Sequence, residues 1–475
     1  MEAVARKPSL WYGPVGVVLA VFMVITVWSL IPADHIMIVL LAVLVLLLMG
    51  FRRPVWAMAA LLVSQFTFPS HMVGTPFGVD VSLRLLLLFA IGLVLWRFRK
   101  QVELGPKVKR VVIPAIILLI ISVAANIFNS EFGFVFKDFR NMFSGLVIII
   151  FIPAVVRNLK DLKILCGVAF VVITASAVIG VLQHYQFLGA ETVSRVSGIS
   201  DSKLELMLIL PVALLTVLGI FLSRGLRNRG LLLVVPSVMM GLALYFTYTR
   251  SALLALALGA VALLIFLLSR IRSEIILVVV LVGVGFIEIS GVMGDQFISG
   301  RDIGVQQESS ISRKILWQAG LGIVQDNPII GIGGDQYKTV SEQYISAVDP
   351  DLLRWEEQRY WGYRTLGTLE PHNDFLTVAI SYGLVALAAF LWLFMAAMRN
   401  LFDAYSASDK RFIKGLSVGL AAALIAYAVN VFYHNGLVTL PLFWIIVGFS
   451  GAVAKIAVRK KQIKNNVRAV PGGGH

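Results

Sequence analysis

The sequence has a single cysteine, Cys166, which lies inside an apolar run. A disulfide within the chain and a metal site built from thiolates are therefore excluded. Charged residues are also scarce, at 14% of the chain, whereas soluble globular proteins carry about a quarter. Because 59% of the residues are hydrophobic, this scarcity of charge excludes a water-soluble globule.

Several catalytic signatures are missing as well. The chain has no G-x-S-x-G, no H-E-x-x-H and no cysteine cluster, so hydrolase and metalloprotease functions lack support. Asp349 and Asp351 form a D-x-D pair, which in so acidic a loop we attribute to chance. The GIGG segment at 331–334 lacks the Lys-Ser/Thr of a phosphate loop and predicts a turn. We therefore predict no metal and no cofactor.

What the chain does contain is a series of apolar runs long enough to cross a bilayer, about 17 to 25 residues each. Because these runs do not alternate, they indicate helices rather than barrel strands. We predict an all-α, polytopic membrane bundle of about fourteen transmembrane helices, with twelve as the alternative count. The crossings are predicted at residues 12–31, 36–50, 54–69, 83–96, 111–128, 141–156, 163–187, 204–222, 231–248, 251–268, 274–291, 372–398, 412–433 and 437–454.

The placement of Lys and Arg predicts the orientation of the bundle. Basic residues are concentrated on alternate loops and at both termini, which are therefore predicted to be cytoplasmic. The net charge of +15 follows from this topology and does not indicate nucleic acid binding. The long polar interval at 292–371 is then external, and the basic tail at 455–475 is predicted to be a disordered anchor for anionic lipid.

These boundaries divide the chain into four parts. Residues 1–291 hold eleven crossings, 292–371 form the external loop, 372–454 hold three crossings, and 455–475 form the tail. In the loop, the serines at 309–310 are predicted to cap a helix that ends at Asn327-Pro328. A second amphipathic helix is predicted within 341–367.

His372 is the first candidate for polar chemistry. Pro371 favours a helix start, so the imidazole is expected at a helix N-terminus on the external side. The helix dipole disfavours the imidazolium there, which leaves a neutral ring that can act as a general base or hydrogen-bond acceptor. The alternative is a histidine that only caps the helix. Asn373 and Asp374 either orient the ring or cap the helix, and we favour capping for Asp374.

Four further residues are candidates for binding phosphate or sugar. Arg250, in TYTRSALL, sits at the external rim between two crossings and can bind a diphosphate, the alternative being a contact with lipid head groups. Arg195 lies in a short external segment beside Gly198, where an ordinary surface arginine is the alternative. Arg313 and Trp317 share one face of the loop helix and either bind a glycan or pack the loop onto the membrane domain.

Read together, these elements resemble the O-antigen ligase and O-antigen polymerase superfamily of bacterial membrane glycosyltransferases. The family pattern has an Arg-x-x-Gly element (RVSG at 195–198), a Thr-x-x-Arg element (TYTR at 247–250), a loop with Arg and Trp (SRKILW) and a Pro-x-x-Gly-x-Gly turn (NPIIGIGG), and a Pro-His-Asn element (PHN at 371–373). The order is the same across residues 195 to 385. The chain departs from the pattern after RVSG, where the family often has Pro-Asn and this chain has Asp201-Ser202-Lys203.

The resemblance implies an inverting, metal-independent transfer of a glycan from an undecaprenyl-diphosphate carrier to an acceptor hydroxyl. His372 would deprotonate or orient that hydroxyl, and Arg195 and Arg250 would bind the diphosphate. The implied location is a bacterial inner membrane, with the long loop periplasmic and both termini cytoplasmic. The implied partners are the carrier-linked oligosaccharide, an acceptor glycan or lipid A-core, and the bilayer.

Three activities stay open within this family. A polymerase joins carrier-linked repeat units, a ligase moves the finished chain to lipid A-core, and a protein O-glycosyltransferase moves it to a protein hydroxyl. A count of about fourteen crossings favours the polymerase, because ligases typically have fewer. A flippase for lipid-linked oligosaccharides is the alternative from another class, but it predicts internal repeats and charges near mid-membrane, neither of which the sequence clearly shows.

Overall fold

A computed structural model describes most of the predicted membrane domain and part of the long loop. The described residues are 48–67, 72–74, 80–97, 105–129, 132–185, 196–199, 203–224, 231–268, 303–348, 370–434 and 441–469. The crossings predicted at 12–31 and 274–291, and nearly all of the one at 36–50, lie outside these residues.

The described elements are almost all helical, as the apolar runs predict. In chain order they are α1 Pro54–Thr67, β1 Met72–Gly74, β2 Asp80–Ser82, α2 Leu83–Arg97, α3 Pro106–Asn129, α4 Phe132–Val155, α5 Leu159–His184, α6 Lys203–Arg224, α7 Leu231–Phe246, α8 Arg250–Leu268, α9 Ile303–Asp326, α10 Tyr337–Ile345, α11 Asp374–Ala407, α12 Arg411–Val431 and α13 Leu442–Ala469. The two short strands pair antiparallel, with Val73 opposite Val81, and are a small departure from the all-α prediction.

Seven of the described helices are long and apolar enough to cross a membrane, namely those with apolar spans at 106–129, 138–155, 159–184, 204–223, 250–268, 374–407 and 411–431. Shorter apolar helices cover 54–66, 233–246 and 442–458. A helical, multi-pass membrane architecture is thus confirmed, and the predicted count of about fourteen stays a prediction.

The chain divides into two structural units. The first comprises residues 1–101, 158–206 and 235–247, and in it α1 packs on α2 and α5. The second comprises residues 102–157, 207–234 and 248–475. In this second unit α3 and α4 pack together, and α11 contacts α3, α12 and α13.

Helix α12 lies at the centre of the second unit, since every residue from Gly415 to Val431 is buried. A Cβ atom added at Gly219 of α6 would stand 2.5 Å from the Cα atom of Gly419, so the two helices touch backbone to backbone. Small residues are what permit such close approach between membrane helices. An aromatic cluster joins α11, α12 and α13 through Phe390, Phe394, Tyr427 and Phe443.

The ends of α11 have different partners. Near its C-terminus, Asp403 accepts hydrogen bonds from Lys107 Nζ at 2.5 Å and Arg110 Nη1 at 2.7 Å, which ties α11 to the start of α3. Near its N-terminus α11 packs against the loop helix α9 through a cluster that includes Ile323 and Ile380. The segment before α11 carries His372.

The C-terminal basic segment differs from its prediction. Helix α13 runs from Leu442 to Ala469 and so continues through most of the tail expected to be disordered. Lys, Arg, Gln and Ala are good helix formers, and no Pro or Gly interrupts the sequence between Gly451 and Pro471. Helix propensity therefore extends the last predicted crossing beyond its apolar part.

Candidate functional site

His372 stands just outside the N-terminus of α11, in a left-handed backbone conformation with φ of +52°. On its N-terminal side, Trp317 Nε1 donates a 2.7 Å hydrogen bond to the carbonyl oxygen of Pro371. On its C-terminal side, the buried side chain of Asn373 caps α11 by accepting from the backbone N–H of Leu376 at 3.0 Å. Left-handed backbone costs a non-glycine residue about 1–3 kcal/mol and persists where the surroundings enforce it. Here the residues on both sides of His372 enforce it.

The helix cap comes from Asn373, whereas the sequence favoured Asp374. Asn373 has the extended backbone of an N-cap residue, and Asp374 is the first residue of the helix itself. The helix also begins two residues later than the predicted start at 372. His372 therefore lies outside the helix. Asn373 caps the helix, so the ring of His372 has no capping role.

The surroundings of His372 favour the neutral form of its ring. Burial lowers the pKa of His372, the Arg313 guanidinium lowers it further, and Lys338 acts in the same direction. Glu370 opposes them and raises this pKa. Lys338 Nζ and Glu370 Oε1 are 3.6 Å apart and partly exposed. A neutral imidazole at neutral pH is the form that accepts a proton.

Helix α9 brings Arg313 and Trp317 to the site. The two residues are one helical turn apart, and the inner face of α9, with Ile315, Leu316 and Ile323, is buried. The Trp317 ring meets Phe432, at the end of α12, edge to face with 5.4 Å between centroids. Trp317 thus packs α9 against the end of α12, and the glycan-binding and positioning roles predicted for it stay predictions.

Arg250 is the first residue of α8, directly after a turn in which Tyr248 has a φ of +49°. Among the described residues, no carboxylate forms an ion pair with the half-buried Arg250 guanidinium. The next residue, Ser251, reaches His434 beyond the end of α12, with 2.9 Å between Oγ and Nε2. The first turn of α8 and Trp317 of α9 therefore both contact the C-terminal end of α12.

Arg195 lies outside the described residues, but the rest of its motif is described within the first unit. Gly198 has a φ of +70°, and its backbone N–H donates to Gln183 Oε1 at 3.0 Å. A Cβ atom at Gly198 would collide with the Ser176 hydroxyl. The glycine therefore allows this segment to pack closely on α5. The sequence had instead suggested that the glycine allows close approach to a ligand.

The GIGG segment at 331–334 was predicted only to form a turn. In the structure, this segment also packs against a break in helix α11. Gly383 has φ of 82° and ψ of 174°, which interrupts the helix. The break frees the carbonyl oxygen of Ile380 from helical pairing, and this oxygen accepts from Ile332 N–H at 2.9 Å. Beyond the break, Leu384 N–H donates to Pro328 O at 2.7 Å. The loop thus completes the backbone hydrogen bonding that the break leaves open.

A buried polar network fixes the other side of this docked segment. Asp138 of α4 accepts hydrogen bonds from Tyr382 OH at 2.7 Å and from Asn126 Nδ2 at 3.1 Å. Asn126 Oδ1 in turn accepts from the backbone N–H of Gly334 at 2.5 Å. No local sequence pattern predicted the hydrogen bonds between residues 126, 138, 334 and 382.

Within the described ranges, no three His, Cys, Asp or Glu side chains come close enough together to hold a metal ion. The groups that gather around His372 are instead two cations, Arg313 and Lys338, and one carboxylate, Glu370. Such a site is suited to binding anions and accepting a proton.

Fold and site together define a multi-pass membrane protein with a polar, largely cationic site between a loop and the ends of its helices. Residues 235–391 match the family model described as O-antigen ligase. The match, which covers a minority of the chain, supports its assignment to the superfamily of O-antigen ligases and polymerases and indicates a membrane glycosyltransferase. It includes Arg250, Arg313, Trp317 and His372 and excludes Arg195. A search of curated proteins finds no match.

Proposed function

We propose that this protein transfers a glycan from an undecaprenyl-diphosphate carrier to an acceptor hydroxyl at the outer face of the bacterial inner membrane. The product we propose is a longer carrier-linked surface polysaccharide, formed with inversion and without a metal. The observation that carries the proposal is the placement of His372 between two anchored neighbours, Pro371 and Asn373, and beside Arg313 and Lys338, within the segment that matches the O-antigen ligase family.

His372 is proposed as the base that accepts or orients the proton of the acceptor hydroxyl. His372 is half-buried, and its pKa is lowered, which favours the unprotonated ring. The bond that forms joins the acceptor oxygen to the anomeric carbon, and the bond that breaks joins that carbon to the diphosphate oxygen. The acceptor proton passes to His372, and the electron pair of the broken bond leaves with the diphosphate.

Arg250 is proposed to bind the departing diphosphate, with Arg195 assigned the same role from the family pattern. A diphosphate leaving group needs fixed positive charge near the breaking bond, and guanidinium groups supply it without magnesium. The diphosphate charge would also offset the cations that lower the pKa of His372. Donor binding would therefore make His372 a stronger base when it is needed.

Arg313 and Trp317 border the space in which the sugar would lie. The indole N–H of Trp317 donates to Pro371, whereas the guanidinium of Arg313 is the type of group that suits sugar or phosphate. We assign Arg313 to glycan or acceptor binding and Trp317 to holding the His372 segment. We assign Asn373 a positioning role, since its side chain caps α11 next to His372.

The orientation is proposed from the distribution of basic residues. The ionic cluster of Lys107, Arg110 and Asp403 lies at the opposite end of α11 from His372 and belongs to the basic loops assigned to the cytoplasm. The site would then face the periplasm.

A second candidate acceptor is lipid A-core, and the description of the matching family model as O-antigen ligase favours it. The preference for polymerase comes from the predicted number of crossings. A reconstituted assay separates these activities: purified protein in lipid vesicles, a polyprenyl-diphosphate repeat unit and a chelator. Longer carrier-linked glycan with the donor alone indicates a polymerase. Product formed only after lipid A-core is added indicates a ligase, and product formed only with a protein acceptor indicates a protein O-glycosyltransferase.

The key variants in this assay are His372→Asn, Arg195→Ala and Arg250→Ala. Asparagine tolerates the left-handed backbone at 372, so the variant removes the base while keeping the local fold. Lys314→Ala is the control, because Lys314 neighbours Arg313 but is exposed. Full transfer activity in a folded His372→Asn protein would refute the base assignment. Movement of the carrier across the bilayer with no transfer to any acceptor would favour the flippase.

A further inference from the structure

Four groups form a hydrogen-bonded chain at the first turn of α8. Ser251 Oγ lies 2.9 Å from His434 Nε2 and 3.3 Å from Asn430 Oδ1. Asn430 Nδ2 donates to the backbone carbonyl of Met207 in α6 at 2.9 Å. The chain therefore connects α6, α8 and the C-terminal end of α12, next to Arg250.

The carbonyl of Met207 determines which group donates in each hydrogen bond of this series. A carbonyl oxygen can only accept, so the amide nitrogen of Asn430 must face it and the amide oxygen must face Ser251. The amide oxygen needs a donor, and the hydroxyl of Ser251 has a single hydrogen to give. His434 must then donate to Ser251 through Nε2–H.

This direction excludes one chemical role for the pair. A serine 2.9 Å from a histidine resembles a nucleophile with its base. A base must accept the hydroxyl proton, whereas here the Ser251 proton points to Asn430 and His434 is the donor. The pair is therefore a structural connection between α12 and the first turn of α8.

We propose that His434 is a positioning residue for Arg250, acting through its Nε2–H···Oγ bond to Ser251. The proposal rests on the proposed role of Arg250 in binding the donor diphosphate. Arg250 begins its helix directly after the strained turn at Tyr248, and the first turn of a helix frays unless its end is held. The bond to His434 holds that turn one residue from the guanidinium.

The same end of α12 also supports the other half of the site. Phe432, two residues before His434, contacts the ring of Trp317 at 5.4 Å, and Trp317 holds Pro371 next to His372. The end of α12 thus contacts both the Arg250 turn and the residue that holds the His372 segment. Displacing His434 is expected to affect the Arg250 turn first, because His434 contacts Ser251 of that turn directly.

The test compares His434→Ala with His434→Gln, which keeps an N–H donor near the Nε2 position. The reconstituted transfer assay is run over a range of donor concentrations. Loss of one hydrogen bond predicts a donor KM about three- to tenfold higher in His434→Ala, with a smaller change in kcat. The Gln variant is expected to recover most of the donor affinity. Ser417→Ala in the buried part of α12 is the control for a hydroxyl lost far from the site.

Two further variants keep the inference falsifiable if His434→Ala does not fold. Ser251→Ala removes the same bond and predicts the same rise in donor KM, while Ser251→Thr retains the hydroxyl. In an Arg250→Gln background, His434→Ala is expected to have little additional effect, because the two residues act in series. Equal defects in the Ala and Gln variants, or full additivity with Arg250→Gln, would overturn the inference.

Failure of the inference can be told apart from failure of the proposed function. If Arg250→Gln impairs donor use and both His434→Ala and Ser251→Ala do not, only the positioning role is wrong. If Arg250→Gln itself uses the donor as the wild type does, the role of Arg250 is wrong, and the positioning role fails with it.

Discussion

The indole nitrogen of Trp317 donates a 2.7 Å hydrogen bond to the carbonyl oxygen of Pro371, across 54 positions of sequence. This bond joins the loop helix α9 to the residue before His372. It explains how a histidine outside any helix is held at a fixed place. The loop is therefore part of the candidate site, because it holds the segment that carries His372.

Trp317→Phe tests this bond, since phenylalanine keeps an aromatic ring against Phe432 and lacks the N–H. Misplacement of the base predicts a fall in kcat of about 10- to 100-fold, with a smaller change in donor KM. Trp392→Phe is the matched control, because Trp392 is 49% exposed on α11. An unchanged kcat in Trp317→Phe would show that the Pro371 contact does not matter for catalysis.

The pH dependence of transfer follows from the pKa of His372. Because this pKa is lowered below its ordinary value of about 6.5, the active neutral form persists at neutral pH and is lost as pH falls through the lowered value. Arg313→Gln removes a neighbouring cation and is expected to move the acidic limb to higher pH. Glu370→Gln removes a neighbouring carboxylate and is expected to move it to lower pH. The check is kcat/KM against pH for both variants, because this ratio reports the pKa of the free enzyme. Shifts in the same direction would contradict the assignment.

The break in α11 predicts a strong effect of Gly383→Ala. A Cβ atom there would collide with the carbonyl oxygen of Ile329, and the φ of 82° is unfavourable for alanine. We expect a loss of at least about 1–2 kcal/mol in unfolding free energy, measured by thermal unfolding in detergent. Gly241→Ala is the control, because it lies within α7 with no atom within 4 Å of the added methyl group. Equal thermal stability of the two variants would argue against the break.

Two buried tyrosines predict opposite results for the same substitution. Tyr382 OH donates to the buried carboxylate of Asp138 at 2.7 Å, so Tyr382→Phe is expected to cost about 1–3 kcal/mol in stability. Tyr427 OH is buried and has no hydrogen-bond partner among the described residues. Tyr427→Phe is therefore expected to be neutral or stabilising in the same unfolding measurement. A stable Tyr382→Phe would show that the network contributes little.

The sequence predicted best those features that depend on local chemistry. Apolar runs placed helices such as Leu159–His184 within a few residues of the predicted 163–187, because length and hydrophobicity act within one segment. The loop helix ends at Asp326, next to the predicted stop at Asn327-Pro328. It begins at Ile303, however, so the serines at 309–310 lie inside it and do not cap it. The second loop helix was predicted within 341–367. The described helix Tyr337–Ile345 overlaps the start of that range, and most of the range lies outside the described residues.

Features that depend on distant partners were not predictable. The effect of Lys338 on His372 and the contact of His434 with Ser251 join residues far apart in sequence, with no motif to connect them. The glycines of the GIGG segment indicated a turn, but nothing local indicated that Ile332 would pair with Ile380. Packing decides these contacts, and one sequence does not specify packing partners.

The break at Gly383 has a consequence for how substrates enter. In a bilayer an unpaired backbone amide or carbonyl costs several kcal/mol, so the pairs Ile332–Ile380 and Leu384–Pro328 resist separation. Residues 328–333 and the part of α11 around Gly383 are therefore expected to move together. This part of the loop cannot swing open as a lid while α11 stays in place. On the proposed function, a growing glycan and its carrier would therefore enter beside this joint.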